Sequence, residues 1–168
     1  SAGHPGSLLS EPLFEATFDF ARAAQSMDGL AGDLLLPELV HALDAAPAER
    51  FPRTRRPFTH QLEAWRELSK SPPRSALVSS GTGSGKTECF LVPILDDLLR
   101  QGDSTRRGVH AIFLYPLNAL IASQEKRLSA WVSRFGQRLR FALYNGLMPE
   151  SAQAHDQAKI PWQVLSRT

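Results

Sequence analysis

The sequence SSGTGSGKTECF at residues 79–90 restricts the fold of this chain more than any other segment does. A glycine-rich loop between an apolar segment and an amphipathic one is typical of a phosphate-binding loop that connects a strand to a helix. Residues 80–87 fit the pattern G-x-x-x-x-G-K-[ST] except at its first position, where Ser80 replaces glycine. The chain is therefore expected to bind a nucleotide phosphate.

The residue types of this loop suit ATP and Mg²⁺. Glycines allow backbone N–H groups to curl around a phosphate, and the start of the following helix adds a positive dipole end. Lys86 and Thr87 are the expected catalytic residues, because the lysine reaches the terminal phosphates and the threonine hydroxyl ligates Mg²⁺. The alternative is a glycine-rich turn without a ligand. The predicted nucleotide-binding residues of the loop are Ser80, Gly81, Thr82, Gly83, Ser84, Gly85, Lys86, Thr87 and Glu88.

Strand and helix patterns alternate around this loop. Short apolar runs predict strands at residues 75–80, 109–116 and 139–145, and amphipathic patterns predict helices at 85–100 and 117–135. Strands that alternate with helices of this length are typical of a parallel sheet with crossover helices. The predicted fold class is α/β.

The residues before the loop have a different pattern. Helical spacing of apolar residues predicts helices over 12–26, 33–46 and 60–70. The segment FPRTRRP at 51–57 is predicted to be an extended connector, because two prolines restrict its backbone.

Charge is distributed unevenly along the chain, although the net charge is only +2. Residues 1–49 contain eight acidic residues and one basic residue, whereas residues 50–168 contain nine acidic and eighteen basic ones. We therefore predict an acidic helical segment at 1–49 and a basic nucleotide-binding part at 50–168. The asymmetry indicates a polyanionic partner for the second part. The alternative is that the two parts attract each other.

Several classes of protein are disfavoured by composition. No stretch approaches the roughly 18 apolar residues of a spanning helix, and the N-terminus lacks the basic and apolar regions of a secretory signal. The single cysteine, Cys89, excludes an internal disulfide and is predicted to be a core residue. The expected location is cytoplasmic, with no membrane partner.

The loop and the segment before it resemble motifs of superfamily 2 helicases. TGSGKT after a small residue resembles motif I, in which alanine often occupies the place of Ser80. PFTHQLEAW resembles the glutamine motif, which implies that the amide of Gln61 reads adenine while Phe58 or Arg56 stacks on the base. The alternative for Gln61 is a polar residue at the start of a solvated helix.

Two later segments extend this resemblance. AIFLYPLNALIASQEKRL resembles motif Ia, and YNGLMPE resembles the strand-end glycine motif, both of which bind the nucleic-acid backbone in that family. The YPLNAL form resembles the RecQ-related, Hrq-type branch, whose bacterial members repair or defend DNA, so DNA is favoured over RNA. The implied nucleic-acid contacts are Pro116, Leu117, Asn118, Gln124 and Gly146.

The resemblance covers only part of a motor. It implies the first portion of a RecA-like P-loop NTPase domain of DEAD/DEAH type, yet no apolar run ending in Asp-Glu follows residue 150, and no second domain supplies arginine fingers. In that family other strands separate strand 75–80 from strand 109–116. We therefore expect an incomplete sheet, completed by the remainder of the chain or by a partner.

The expected function is that of an N-terminal fragment of an ATP-dependent DNA helicase or translocase. The fragment alone is expected to be catalytically inactive. A nucleotide-binding regulatory or interaction module without a motor is one alternative, and another P-loop NTPase, such as a kinase, is a second.

Overall fold

The computed structural model describes residues 19–72, 74–102, 108–116 and 118–144. Predictions for residues 12–18, Leu117 and Gly146 therefore lie outside the described residues. The helices are α1 (Met27–Leu30), α2 (Pro37–Asp44), α3 (Thr59–Leu68), α4 (Lys86–Arg100) and α5 (Asn118–Val132), and a 3₁₀ helix, Ser133–Arg138, follows α5.

Residues 19–26 are not helical, so the described part of the predicted helix over 12–26 is wrong. Arg22 forms an antiparallel bridge with Phe58 instead, and the Ala23 N–H donates to the carbonyl of Pro57 at 2.8 Å. The helical pattern fails here because the connector before α3 offers the backbone these partners. From residue 19 onward, helical structure begins at Met27, where the Ser26 hydroxyl accepts from the Gly29 N–H at 3.3 Å.

The second predicted helix is shorter than its pattern. α2 begins at Pro37, not near residue 33, because proline has no N–H to lose and its fixed φ suits the first helical position. The preceding leucines form a turn, in which the N–H of Leu34 and that of Leu35 both donate to the carbonyl of Leu30 at 3.0 Å. α2 buries Leu39, Val40, Ala42 and Leu43.

A hydrophobic core joins the acidic N-terminal part to the helices around the loop. Leu39 of α2, Trp65 of α3, Leu91 of α4 and Trp131 of α5 are all fully buried and belong to one cluster. The division at residues 49 and 50 stays a prediction about domains. None of the described helices has the length and apolar character that crossing a membrane requires.

The predicted sheet does not form among the described residues. Segments 74–80, 108–116 and 140–144 contain no ladder of paired strands, so the strands predicted at 75–80, 109–116 and 139–145 do not pair with one another among the described residues. The physical reason is that a strand needs a neighbour for its backbone hydrogen bonds, and these segments have none in the described part of the chain. Several of their large apolar side chains consequently face solvent: Leu77 is 96%, Ile112 74% and Leu114 88% exposed.

Ion pairs connect the acidic N-terminal part with the basic remainder. Arg138 in the 3₁₀ helix donates to both carboxylate oxygens of Glu38, at 2.7 and 2.9 Å, and this bond keeps the pKa of Glu38 below its ordinary value. Arg127 of α5 reaches Glu49 at 3.1 Å. Attraction between the two parts, the alternative interpretation of the charge asymmetry, is thus present in the fold.

Candidate nucleotide-binding site

The phosphate-binding loop, residues 80–87, leads directly into α4. Gly83 and Gly85 have φ angles of 78° and 72°, in the left-handed region that glycine adopts without a steric penalty. Gly85 is the residue that precedes the first helical residue, Lys86. The turn therefore needs glycine at these positions, and it presents the unpaired N–H groups of the helix start to the loop.

Lys86 lies folded along the loop. Its Nζ donates to the carbonyl oxygens of Ser80 and Gly81, each at 2.8 Å. A lysine ammonium has three N–H donors, so one remains for a phosphate oxygen. The hydroxyl oxygens of Ser80 and Ser84 are 2.6 Å apart, which gives the serine in place of the first motif glycine a role in closing the loop.

Gln61 joins α3 to this loop. Its side chain is fully buried; its Oε1 accepts from the Phe58 N–H at 2.9 Å and its Nε2 donates to the Gly85 carbonyl at 3.0 Å. The interpretation of Gln61 as a solvated polar residue is therefore wrong. The adenine contact stays a prediction, since the amide uses one donor and one acceptor site on the protein itself.

Two further side chains of α3 hold the loop, and neither was assigned this role from sequence. His60 Nε2 lies 2.8 Å from the Ser84 carbonyl, and because a carbonyl only accepts, this nitrogen carries the proton. Trp65 Nε1 donates to the Glu88 carbonyl at 2.8 Å. The sequence offered one indication of this role for Trp65. Gln61 and Trp65 are four residues apart, so their side chains lie on the same face of α3.

The two residues predicted to stack on the base are both held by the N-terminal segment. The ring of Phe58 is stacked on His60, with centroids 5.6 Å apart, and the Arg22 guanidinium lies 4.8 Å from its centroid. Arg56 Nε donates to the Ala23 carbonyl at 2.6 Å. Base stacking by Phe58 or Arg56 stays a prediction.

A cleft of about 640 Å³ opens beside the loop. One wall comes from the connector before α3, where the guanidinium of Arg55 lies 4.5 Å from the centroid of the Phe51 ring. The sequence predicted only that this connector is extended, and the pair of Phe51 and Arg55 was not assigned a role from sequence. The remaining lining residues are Glu49, Arg50, Phe58, Thr82, Gly83, Ser84, Gly85, Lys86, Thr87, Glu88, Gln124, Arg127 and Trp131.

Helix α5 forms another wall of this cleft. Gln124 and Arg127, one turn apart on α5, both line it. Pro116 is exposed in a bend before the helix, and Asn118 is the first residue of α5. The structure therefore separates Gln124, at the nucleotide cleft, from the exposed approach to α5. The nucleic-acid roles of these residues stay predictions.

The cleft has chemistry that fits ATP and Mg²⁺. Glu88 Oε2 and Gln124 Oε1 are buried acceptor oxygens without a hydrogen-bond donor among the described residues. Mg²⁺ usually keeps several waters, which would supply such donors, and Thr87 lines the same cleft. In the described part of the chain no three His, Cys, Asp or Glu residues form a metal-binding cluster.

Cys89 lies beneath the loop as a core residue. Its side chain is fully buried, and its Sγ is 3.6 Å from the Gly85 carbonyl. Burial, together with the negative charge of Glu88, raises the pKa of the thiol to about 11. A thiol in this state is a packing residue and not a nucleophile.

A large part of this chain is similar to known proteins. The family model described as DEAD/DEAH box helicase matches residues 58–166. Druantia protein DruE of Escherichia coli (strain UMEA 4076-1) is 34% identical over 109 residues, which are 56% of this chain and 6% of that protein. ATP-dependent RNA helicase DBP9 of Coccidioides immitis (strain RS) is 26% identical over 95 residues, which are 55% of this chain and 16% of that protein.

The chain thus spans less than a fifth of either relative. No solved structure gives a significant match. The matched region begins at Phe58 and includes α3, the phosphate-binding loop, α4 and α5. Because the family model covers well over half of the sequence, this chain belongs to the DEAD/DEAH box helicase family.

Proposed function

We propose that this chain is the nucleotide-binding portion of an ATP-dependent nucleic-acid helicase. The observation that carries the proposal is the geometry of the phosphate-binding loop. Lys86 folds over a loop with two left-handed glycines and keeps one N–H donor for a phosphate, at the N-terminus of α4. The loop lies within the residues matched by the DEAD/DEAH box helicase family model, which supports a helicase in particular.

Different residues of the loop are proposed to bind the phosphates and the Mg²⁺ ion. Lys86 and the backbone N–H groups of residues 81–87 would bind the phosphates, and the Thr87 hydroxyl would hold Mg²⁺. Bound ATP–Mg²⁺ would supply the phosphoryl group whose transfer to water drives a helicase. Gln61 and Arg55 lie beside the cleft, so the adenine and ribose would meet this side of the protein.

Nucleic acid is the proposed second ligand. Pro116, Leu117, Asn118 and Gly146 would contact the backbone of a single strand, with DNA favoured over RNA. Support comes from the YPLNAL resemblance to the RecQ-related, Hrq-type branch, and the family match supports nucleic acid in general. The names of the relatives leave the choice open, since DBP9 is called an RNA helicase. DNA repair or phage defence in the cytoplasm is the corresponding biological role.

The remaining catalytic groups are proposed to come from outside this chain. A water-positioning acid and arginine fingers are needed to stabilise the transition state of phosphoryl transfer. The exposed apolar side chains of Leu77, Ile112 and Leu114 are consistent with strands that are completed by the rest of the helicase or by a partner.

The experiment compares ATP hydrolysis by the longer protein with that by residues 1–168. The longer protein is expected to hydrolyse ATP with strong stimulation by single-stranded DNA and weaker stimulation by RNA of the same length. The 168-residue chain is expected to release no phosphate. If neither nucleic acid changes the rate of ATP hydrolysis by the longer protein, the helicase proposal is contradicted. A regulatory module or another P-loop NTPase would then be favoured.

A further inference from the structure

One guanidinium links three separate parts of this chain. Arg127 of α5 donates from Nη1 to Glu88 Oε1 at 2.9 Å, and from Nε and Nη2 to Glu49 Oε2 at 3.2 and 3.1 Å. Glu88 lies in the first turn of α4, directly after Thr87, and Glu49 ends the acidic N-terminal segment. Arg127 therefore contacts the nucleotide-binding helix and the N-terminal segment at the same time.

The burial of the Arg127–Glu88 pair makes this contact more than a surface ion pair. Side-chain exposure is 13% for Glu88 and 23% for Arg127, so water screens this pair incompletely. Glu88 Oε2, the second oxygen of that carboxylate, has no donor among the described residues. Removal of Arg127 would leave Glu88 without its cation and two carboxylates facing each other.

Glu49 anchors the network on α5 through both its carboxylate and its backbone carbonyl. Its carboxylate binds Arg127, and its carbonyl oxygen accepts from Trp131 Nε1 at 2.8 Å. These α5 residues are four positions apart and share one helix face. The φ of Glu49 is 56°, a left-handed value that costs a non-glycine residue free energy and persists only where surrounding contacts hold it.

Glu88 in turn lies against the phosphate-binding loop. A Cβ placed on Gly85 would be 2.9 Å from Glu88 Oε2, which shows that the carboxylate touches the loop backbone. The Glu88 carbonyl is held by Trp65 of α3. A displacement of Arg127 would therefore act through Glu88 on the loop residue that precedes Lys86.

We propose that Arg127 is a positioning residue that fixes the phosphate-binding loop to α5 through Glu88, with Glu49 as its anchor. Glu49 of the N-terminal segment contacts Arg127 of α5, and Arg127 contacts Glu88 in the first turn of α4. Glu88 in turn lies against the loop. Its consequence for nucleotide affinity rests on the proposed function; its effect on the loop itself does not.

The chain contains a matched control for this network. Arg138 also donates to an acidic residue of the N-terminal segment, Glu38, through two bonds of 2.7 and 2.9 Å. Arg138 does not line the nucleotide cleft. Arg127→Gln and Arg138→Gln therefore remove the same kind of side chain, and only the first removes a contact to the loop.

The experiment measures hydrogen–deuterium exchange of the amides at residues 82–90 without nucleotide, together with the affinity for ATP–Mg²⁺. Arg127→Gln is expected to speed exchange at these amides roughly tenfold, because the loop loses its attachment to α5. Arg138→Gln is expected to leave them unchanged. The affinity for ATP–Mg²⁺ should fall roughly threefold to tenfold in the first variant only.

The outcomes separate this inference from the proposed function. Unchanged exchange at residues 82–90 in Arg127→Gln, or an equal increase in Arg138→Gln, overturns the positioning role whatever the nucleotide result. Absence of ATP binding by the unmodified chain contradicts the proposed function, while the exchange result still decides the role of Arg127. Should Arg127→Gln unfold, Arg127→Lys replaces it, because lysine keeps the charge but lacks the planar fork that reaches both carboxylates; the same increase in exchange is then expected.

Discussion

The side-chain amide of Gln61 donates a hydrogen bond to the carbonyl oxygen of Gly85, with the two atoms 3.0 Å apart. Through this bond, the start of α3 holds the end of the phosphate-binding loop where the backbone turns into α4. The bond is buried together with the whole Gln61 side chain. The loop is thus shaped by contacts from α3 as well as by its glycines.

Replacing Gln61 with alanine is expected to destabilise the fold by about 2 kcal/mol, because the Phe58 N–H and the Gly85 carbonyl lose a buried partner. Urea denaturation measures this change. Gln101→Ala is the control, since Gln101 is an exposed glutamine bonded to Asp97, and its loss should change stability by less than about 0.5 kcal/mol. Equal stability of the two variants would contradict the structural role of Gln61.

The two left-handed glycines of the loop are expected to differ in their tolerance of a side chain. Alanine at Gly83 meets no atom within 4 Å and should cost only the backbone strain of about 1 kcal/mol. Alanine at Gly85 would lie 2.3 Å from Gln61 Nε2 and should cost clearly more, with loss of nucleotide binding. Melting temperatures of the two variants check this order, and a Gly85→Ala protein as stable as Gly83→Ala would refute it.

The buried thiol of Cys89 is expected to be unreactive in the folded protein. Its pKa is raised from 9.0 to about 11, which lowers the thiolate fraction at neutral pH about a hundredfold. Because the folded-state pKa is raised, the stabilisation from the protonated thiol is complete below about pH 9 and is lost as the pH rises through 11. The rate of reaction with a disulfide reagent at pH 8 should be much lower than in urea, and equal rates would show that Cys89 is accessible.

The exposed apolar residues of the unpaired segments are expected to cause self-association of the isolated chain. Leu77, Ile112 and Leu114 present apolar side chains on segments that have no strand partner among the described residues, a combination that promotes pairing between molecules. Threonine at all three positions should lower the association measured by light scattering at increasing concentration. Leu99 is buried in the core, so Leu99→Thr should destabilise the fold without reducing association. Identical scattering by the triple variant and the unmodified chain would contradict this expectation.

Local patterns in the sequence predicted part of this structure well. The helix after the phosphate-binding loop was expected at 85–100 and is Lys86–Arg100, and Cys89 was expected in the core and is fully buried. α5 was expected at 117–135 and spans Asn118–Val132 with a 3₁₀ turn after it. These helices depend on contacts between residues that are close in the sequence. The spacing of apolar residues therefore predicts them.

The same local patterns could not predict contacts between residues that are far apart in the sequence. The backbone partners of residues 21–23 lie at 57–59, and no helical period reveals that a non-helical pairing there is preferred. The apolar runs at 75–80 and 109–116 have strand composition, but a sheet also needs neighbouring strands. Within the cleft, the Arg127 network joins residues 49, 88 and 127, which only the packed structure brings together.

Binding of ATP–Mg²⁺ to residues 1–168, measured by isothermal titration calorimetry, tests the central claim most directly. The unmodified chain is expected to bind with a stoichiometry of one, because the phosphate-binding loop and the cleft beside it are formed within these residues. Lys86→Ala is expected to lose this binding while its melting temperature stays close to that of the unmodified chain, since within the described part of the chain Lys86 bonds to the carbonyls of Ser80 and Gly81 alone. Unchanged affinity in Lys86→Ala would contradict the assignment of residues 80–87 as the phosphate-binding loop.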